Sequence, residues 1–161
     1  MKKPILSLCL VLSVISTRCQ VAKSSFAVGA GISLAVPVYN LTSSKTGGGA
    51  DVYVTYGLNQ KLAISTDVGV VGLPGKGMYP STAIVPIRVG LRYFPLDKVY
   101  ASAKAGLGVL TILKASANHF AYGVSGGYSF SRRIDASVYY DGYSNNNTSF
   151  GYAGLRIAYQ F

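Results

Sequence analysis

His119 is the only histidine in the chain and so the one side chain whose ordinary titration lies near neutral pH. To act as a general base it needs a nucleophile, because a serine hydroxyl alone is inert. Ser125 lies deeper on the same face of an alternating segment, and the chain has no Glu to complete a triad. The ionisable residues at inward positions include four acids, Asp51, Asp67, Asp135 and Asp141, and four bases, Arg88, Arg92, Lys104 and Arg156, all spaced to fall on the less apolar face of their segments. Charges on one face of a low-dielectric wall are tolerable only when paired and hydrogen-bonded. They therefore predict a mutually neutralising network, with a polar path for ions or small solutes as the alternative.

Other motifs carry less. Gly72 to Gly77 (GLPGKG) has the lysine of a phosphate loop, but Val70 stands where the first glycine belongs and Gly77 where Ser or Thr belongs. Asn40-Leu41-Thr42 and Asn147-Thr148-Ser149 match glycosylation sequons inside polar loops. Cys9 and Cys19 are the only thiols. Met1-Lys2-Lys3 followed by the apolar Pro4 to Ser16 predicts a secretory leader, too short to span a bilayer. Cleavage before Gln20, with a cut after Ala22 as the second choice, makes residues 1–19 the leader and 20–161 the mature domain. Both thiols then leave, and thiolate, disulfide and Cys-nucleophile chemistry with them. Arg18 before Cys19 argues against a lipid anchor, which needs a small residue there. Losing Lys2, Lys3 and Arg18 takes the formal charge from +10 to +7. The basic residues are scattered singly apart from Arg132-Arg133, so no nucleic-acid partner is predicted. No residue set predicts a metal or cofactor.

The elements that must position these residues follow from a period of two. Leu155, Ile157, Tyr159 and Phe161 alternate with Gly154, Arg156, Ala158 and Gln160, which puts one face in an apolar medium and the other elsewhere. The same pattern recurs from Phe26 to Val36, Asp51 to Leu58, Leu62 to Val70, Val85 to Tyr93, Val99 to Leu110, His119 to Phe130 and Ile134 to Asp141. The sum is eight strands in one domain. Half the residues are hydrophobic, only 12% are charged, and 19 are glycine, a density that would be costly in helices. Mean hydropathy is +0.34. The face opposite the apolar one bears Gly, Ser and single charges in place of the Lys/Glu-rich surface of a soluble sheet. This favours an all-β, eight-stranded antiparallel up-and-down transmembrane barrel over a soluble barrel with its apolar face inward.

Connections are expected to alternate in length. Those at Asn59-Gln60, Pro95 to Lys98 and Ser131 to Arg133 are short, and those near Tyr39 to Gly49, Leu73 to Ser81, Leu113 to Ala117 and Tyr143 to Ser149 longer. Short turns on the periplasmic side and longer loops outside are the rule for outer-membrane barrels, and both termini then face the periplasm. Strands running toward the short-turn end finish on aromatics: Tyr56, Tyr93, Tyr128 with Phe130, and Tyr159 with Phe161, an expected periplasmic girdle. Phe120, Tyr122, Tyr140 and Phe150 are candidates for the outer girdle.

In these features the chain from about Phe26 to Phe161 resembles the small eight-stranded outer-membrane proteins of the OmpA/OmpX type. Leu155, Ile157, Tyr159 and Phe161 are similar to that family's C-terminal assembly signal. The resemblance implies insertion by the barrel assembly machinery, a boundary of outer-membrane lipids and a bacterial outer-membrane location. It leaves the external partner unspecified. A barrel this size has a bore just wide enough to be filled by its own side chains, so the expectation is a non-enzymatic structural or surface-interaction barrel, with a narrow pore and a lipid-modifying enzyme as alternatives.

Overall fold

The computed structural model describes residues 26–41, 43–113, 115–146 and 148–161; the leader, Cys9 and Cys19 lie outside the described residues. Eight strands follow in chain order: β1 (Phe26–Tyr39), β2 (Gly47–Gly57), β3 (Leu62–Leu73), β4 (Thr82–Tyr93), β5 (Val99–Ile112), β6 (Ala115–Ser129), β7 (Ile134–Ser144) and β8 (Ser149–Gln160). Each pairs antiparallel with its chain neighbours, and β1 pairs with β8 to close the barrel. Closure removes every free sheet edge. At the seam Gly29 opposes Gln160 and Val36 opposes Ala153, and the register shifts between Pro37 and Tyr39.

Side chains alternate across the wall. Ile32, Val52, Ile87, Val89, Leu107, Val124 and Leu155 are all more than half exposed on the outer face, while Asp67, Tyr100, Tyr143 and Tyr152 are buried inside. The outer surface is thus the apolar one. Pro86 sits within β4, where its missing N–H falls on the β3 side: pairing stops after Val68 with Ile87 and resumes unshifted at Val71 with Ile84. The β5 side is unbroken there, with Pro86 opposite Gly108.

The connections correct one expectation. The short joints are present at 58–61, 94–98 and 130–133, but only two of the four opposite loops are long, 40–46 and 74–81. Residues 113–114 alone join β5 to β6, and 145–148 join β7 to β8. The strands run on further than alternation of apolar residues suggested, because ladder pairing continues through Thr111 with Ser116 and Ser144 with Ser149, polar residues that a hydropathy pattern assigns to loops. Gly47, Gly48 and Gly49 likewise pair with Ala35, Leu34 and Ser33.

The two long loops are joined to each other. Ser44 and Gly75 form an antiparallel bridge, Lys45 N donates to Pro74 O (2.7 Å) and Lys76 N to Ser43 O (2.8 Å). Asn40, at φ +52°, adopts the left-handed conformation that asparagine tolerates. Its Nδ2 donates to Ser149 O, tying the first loop to β8.

Candidate functional site

Among the described residues polar groups converge on the lumen, and it is built in three tiers. The middle tier is a belt of charge. Asp67, 1% exposed on β3, accepts from Arg88 Nη2 at 2.7 Å and Nε at 3.0 Å across the β3–β4 pair, and Lys104 Nζ lies 2.8 Å from its other oxygen. Arg88 reaches over the bore to Asp141 on β7 at 2.5 Å. Arg156 on β8 binds Asp51 on β2 through two nitrogens, at 2.8 and 2.5 Å, and its Nη1 lies 3.9 Å from Asp135. Bidentate guanidinium–carboxylate pairs are the strong and geometrically specific kind. Glycines make room for them: a methyl at Gly31 would collide with the Arg156 guanidinium.

Arg92 stands apart. It is 7% exposed, yet no carboxylate reaches it among the described residues. Its guanidinium lies instead over the Tyr100 ring, 4.2 Å from the centroid, and 5.8 Å from that of Tyr53. Tyr100 Oη in turn donates to Asp135 at 2.6 Å. Seven of the eight charged residues singled out above therefore form ion pairs; the eighth makes cation–π contacts.

The tier at the loop end is apolar. Ala35, Val71, Leu73, Ile84, Ala121, Tyr143, Phe150 and Tyr152 form one buried cluster, with Leu41 of the first long loop packed on it. Tyr143 stacks on Phe150 and on Tyr152, with centroids at 5.1 and 5.7 Å, and the two tyrosine hydroxyls are 2.9 Å apart. Tyr143 also lies on Gly108, where any Cβ would strike its ring. Phe150 is thus not an outer-girdle residue: it precedes the apolar alternation of β8, shares the parity of Arg156 and points inward. Parity counted past the assumed strand ends would have found Tyr143, Phe150 and Tyr152.

At the short-turn end Phe94, buried, carries the inward parity of β4 one step past the strand and packs on Tyr100, centroid to centroid 5.8 Å. Ala27, Ala63, Ser129 and Ala158 are buried with it. Between the tiers a cavity of about 50 Å³ remains, walled by Arg88, Arg92, Lys104, Arg156, Asp51 and Asp141 among others.

Outside, at the same end, Tyr56 (against Phe26, 4.7 Å), Tyr93, Tyr128 (against Phe130, 5.2 Å) and Tyr159 (against Phe161, 5.6 Å) form a band of rings. Tyr93, Tyr128, Phe130, Tyr159 and Phe161 are exposed and Tyr56 half-buried. Leu155 and Ile157 continue that face on β8. Phe120, Tyr122 and Tyr140 lie on the outer wall toward the loops, and Tyr122 lies over Gly142.

His119 is buried in the apolar tier, edge-on to Phe150 at 5.2 Å, with Nδ1 3.3 Å from the Ala117 carbonyl. Ser125 hydrogen-bonds Ser102 at 2.7 Å. The structure does not assemble the two into a base–nucleophile pair. Among the described residues no group of three or more His, Cys, Asp or Glu could hold a metal ion.

No protein-family model matches the chain, and no curated protein sequence matches it. Solved structures do. The crystal structure of Ail, the attachment invasion locus protein of Yersinia pestis, superposes with a TM-score of 0.65 at 12% identity over 86% of this chain and 99% of that one. Neisserial surface protein A gives 0.64 at 18% identity, covering 84% and 97%. The N-terminal β-barrel domain of Pseudomonas aeruginosa OprF gives 0.53 at 13%, covering 83% and 97%. The chain has the fold of the small eight-stranded outer-membrane barrels.

Proposed function

We propose that this protein is an integral outer-membrane barrel with a closed lumen, a structural and surface-interaction element without catalytic chemistry, whose termini and short turns face the periplasm and whose joined loops face outward. One observation carries the membrane assignment: the outer wall is apolar around its circumference, with Ile32 68% and Leu107 62% exposed, while the charges are inside. In water such a surface would drive aggregation; in a bilayer it is the required boundary. Strands of 11 to 15 residues meet or exceed the 9 to 11 or so needed to cross. The ring band around Tyr56 to Phe161 supports the orientation, since aromatics favour the interface.

The test is envelope fractionation with heat-modifiable migration in detergent gels; recovery in the soluble periplasm overturns the assignment. A substitution sharpens it. Ile87→Arg, on the outer face of mid-β4, should cost about 2 to 4 kcal/mol for folding into lipid vesicles if that face meets the bilayer centre. A soluble barrel would tolerate it at near-zero cost.

Support for the closed lumen comes from its two apolar ends, Phe94 below and the Tyr143–Phe150–Tyr152 stack above. Planar bilayers should show no conductance steps, and reproducible steps would favour the pore. The surface role falls to loops 40–46 and 74–81, whose bridge holds Lys45 and Lys76 in a fixed relation and which contain no carboxylate. That charge suits an anionic glycan. Ail has been solved with the heparin analogue sucrose octasulfate, and titration of that compound against wild type and Lys45→Glu tests the point here.

A further inference from the structure

We infer that the lumen cavity beside Arg92 is a binding site for a small monovalent anion of halide size, which completes the interior of the barrel. Every carboxylate of the charged belt is already satisfied: Asp67 by Arg88 and Lys104, Asp141 by Arg88, Asp51 by Arg156, and Asp135 by the Tyr100 hydroxyl. Arg92 is not. Its guanidinium carbon lies 4.2 Å from the Tyr100 ring centroid and 5.8 Å from that of Tyr53, cation–π contacts that supply no ionic acceptor for its five N–H donors. Among the described residues Nε of Arg92 is buried without a hydrogen-bond partner, and so are the hydroxyls of Tyr53 and Thr55 on β2 and Ser65 on β3, whereas Asp67 Oδ1 and Arg88 Nη1, which also lack a hydrogen bond, have ion-pair contacts to Lys104 and Asp141. Thr55 and Ser65 are direct cross-strand partners, and Ser65 opposes Gly90, two residues from Arg92.

The imbalance is therefore at Arg92. A guanidinium donates only, whereas a hydroxyl both donates and accepts, so the neighbouring hydroxyls can turn toward Arg92 but supply no negative charge, and the missing group is a charged acceptor. The cavity wall has the same bias: four cations, Arg88, Arg92, Lys104 and Arg156, line it with two carboxylates, Asp51 and Asp141. With Asp67 and Asp135 the belt holds four carboxylates against four cations, of which Arg92 is the one without an ion pair among the described residues. A water needs about 10 to 15 Å³ in this measure, so about 50 Å³ takes a halide with one or two waters. A bulky organic anion would not fit, and a cation would lie beside the guanidinium of Arg92, which has no carboxylate in contact among the described residues.

This inference rests on the lumen geometry and not on the membrane assignment, so the two fail separately. The full barrel is refolded in detergent in sodium bromide or in sodium gluconate at equal ionic strength. Two results are expected: a bromine anomalous peak in the cavity at Arg92 in crystals grown with bromide, and an unfolding equilibrium constant that falls tenfold for each tenfold rise in bromide above saturation. Gluconate should give neither. Arg92→Gln should abolish the bromide dependence. If that variant does not refold, the wild-type crystal decides alone. Cavity density without a bromine signal, or the same salt response in both anions, overturns the proposal.

Discussion

The loop-end tier and the charged belt of the lumen obey the same alternation rule and are filled by opposite chemistries. Tyr143, Phe150, Tyr152, Leu73 and Ile84 pack without direction and exclude water by volume. Asp67, Arg88, Lys104, Asp141, Asp51 and Arg156 hold each other only at fixed distances and across strands far apart in sequence. The comparison teaches a division of labour. In the closed-lumen proposal the apolar tier is what closes the bore, and the belt makes one strand register better than its neighbours, since a slip of one residue would turn every charge into the outer wall.

The largest effect should come from breaking the belt at its hub. Asp67→Ala leaves Arg88 and Lys104 buried against too little negative charge and should cost about 3 to 5 kcal/mol, measured by urea unfolding in lipid vesicles. If the cost is under about 1 kcal/mol, the belt is wet and the contrast between tiers dissolves. Next is Tyr143→Ala, which opens a void in the apolar tier and should cost about 3 kcal/mol while raising solute leakage through reconstituted barrels. The belt variant should not leak, because the tier above it stays closed; equal leakage from both would break the division.

Gly108→Ala is smaller. The added methyl would meet the Tyr143 ring, and overpacking of this kind costs about 1 to 3 kcal/mol. Tyr143→Phe sharpens the same point at the low end: it keeps the ring stack and removes only the hydroxyl contact to Tyr152, about 1 kcal/mol. A Tyr143→Phe cost as large as that of Tyr143→Ala would mean the tier is held by hydrogen bonding and not by packing.

Much of this was legible in the residues in order. Alternation from Val99 to Leu110 or from Leu62 to Val70 needs no partner to be recognised, and Asn59, whose side chain accepts from the backbone N–H groups of Lys61 and Leu62, marks its turn locally. What escaped lay where strands outrun their apolar pattern. Ser144, Ser149, Thr111 and Ser116 are polar and look like loop, yet they are ladder partners. Leaving them out hides the inward parity of Tyr143 and Phe150, and with it the apolar packing at the loop end.

Strand number, the wall face within each alternating segment and the tight joints follow from the sequence alone, because these depend on parity and local turn chemistry; the inward face of Phe150 does not. Only the tertiary structure decided that Arg156 takes Asp51 from across the closing seam, that Arg88 spans the bore to Asp141, and that Arg92 is left to Tyr100. Those choices depend on the stagger with which β1 meets β8, a global property that sets which inward residues share a level and that no single strand encodes.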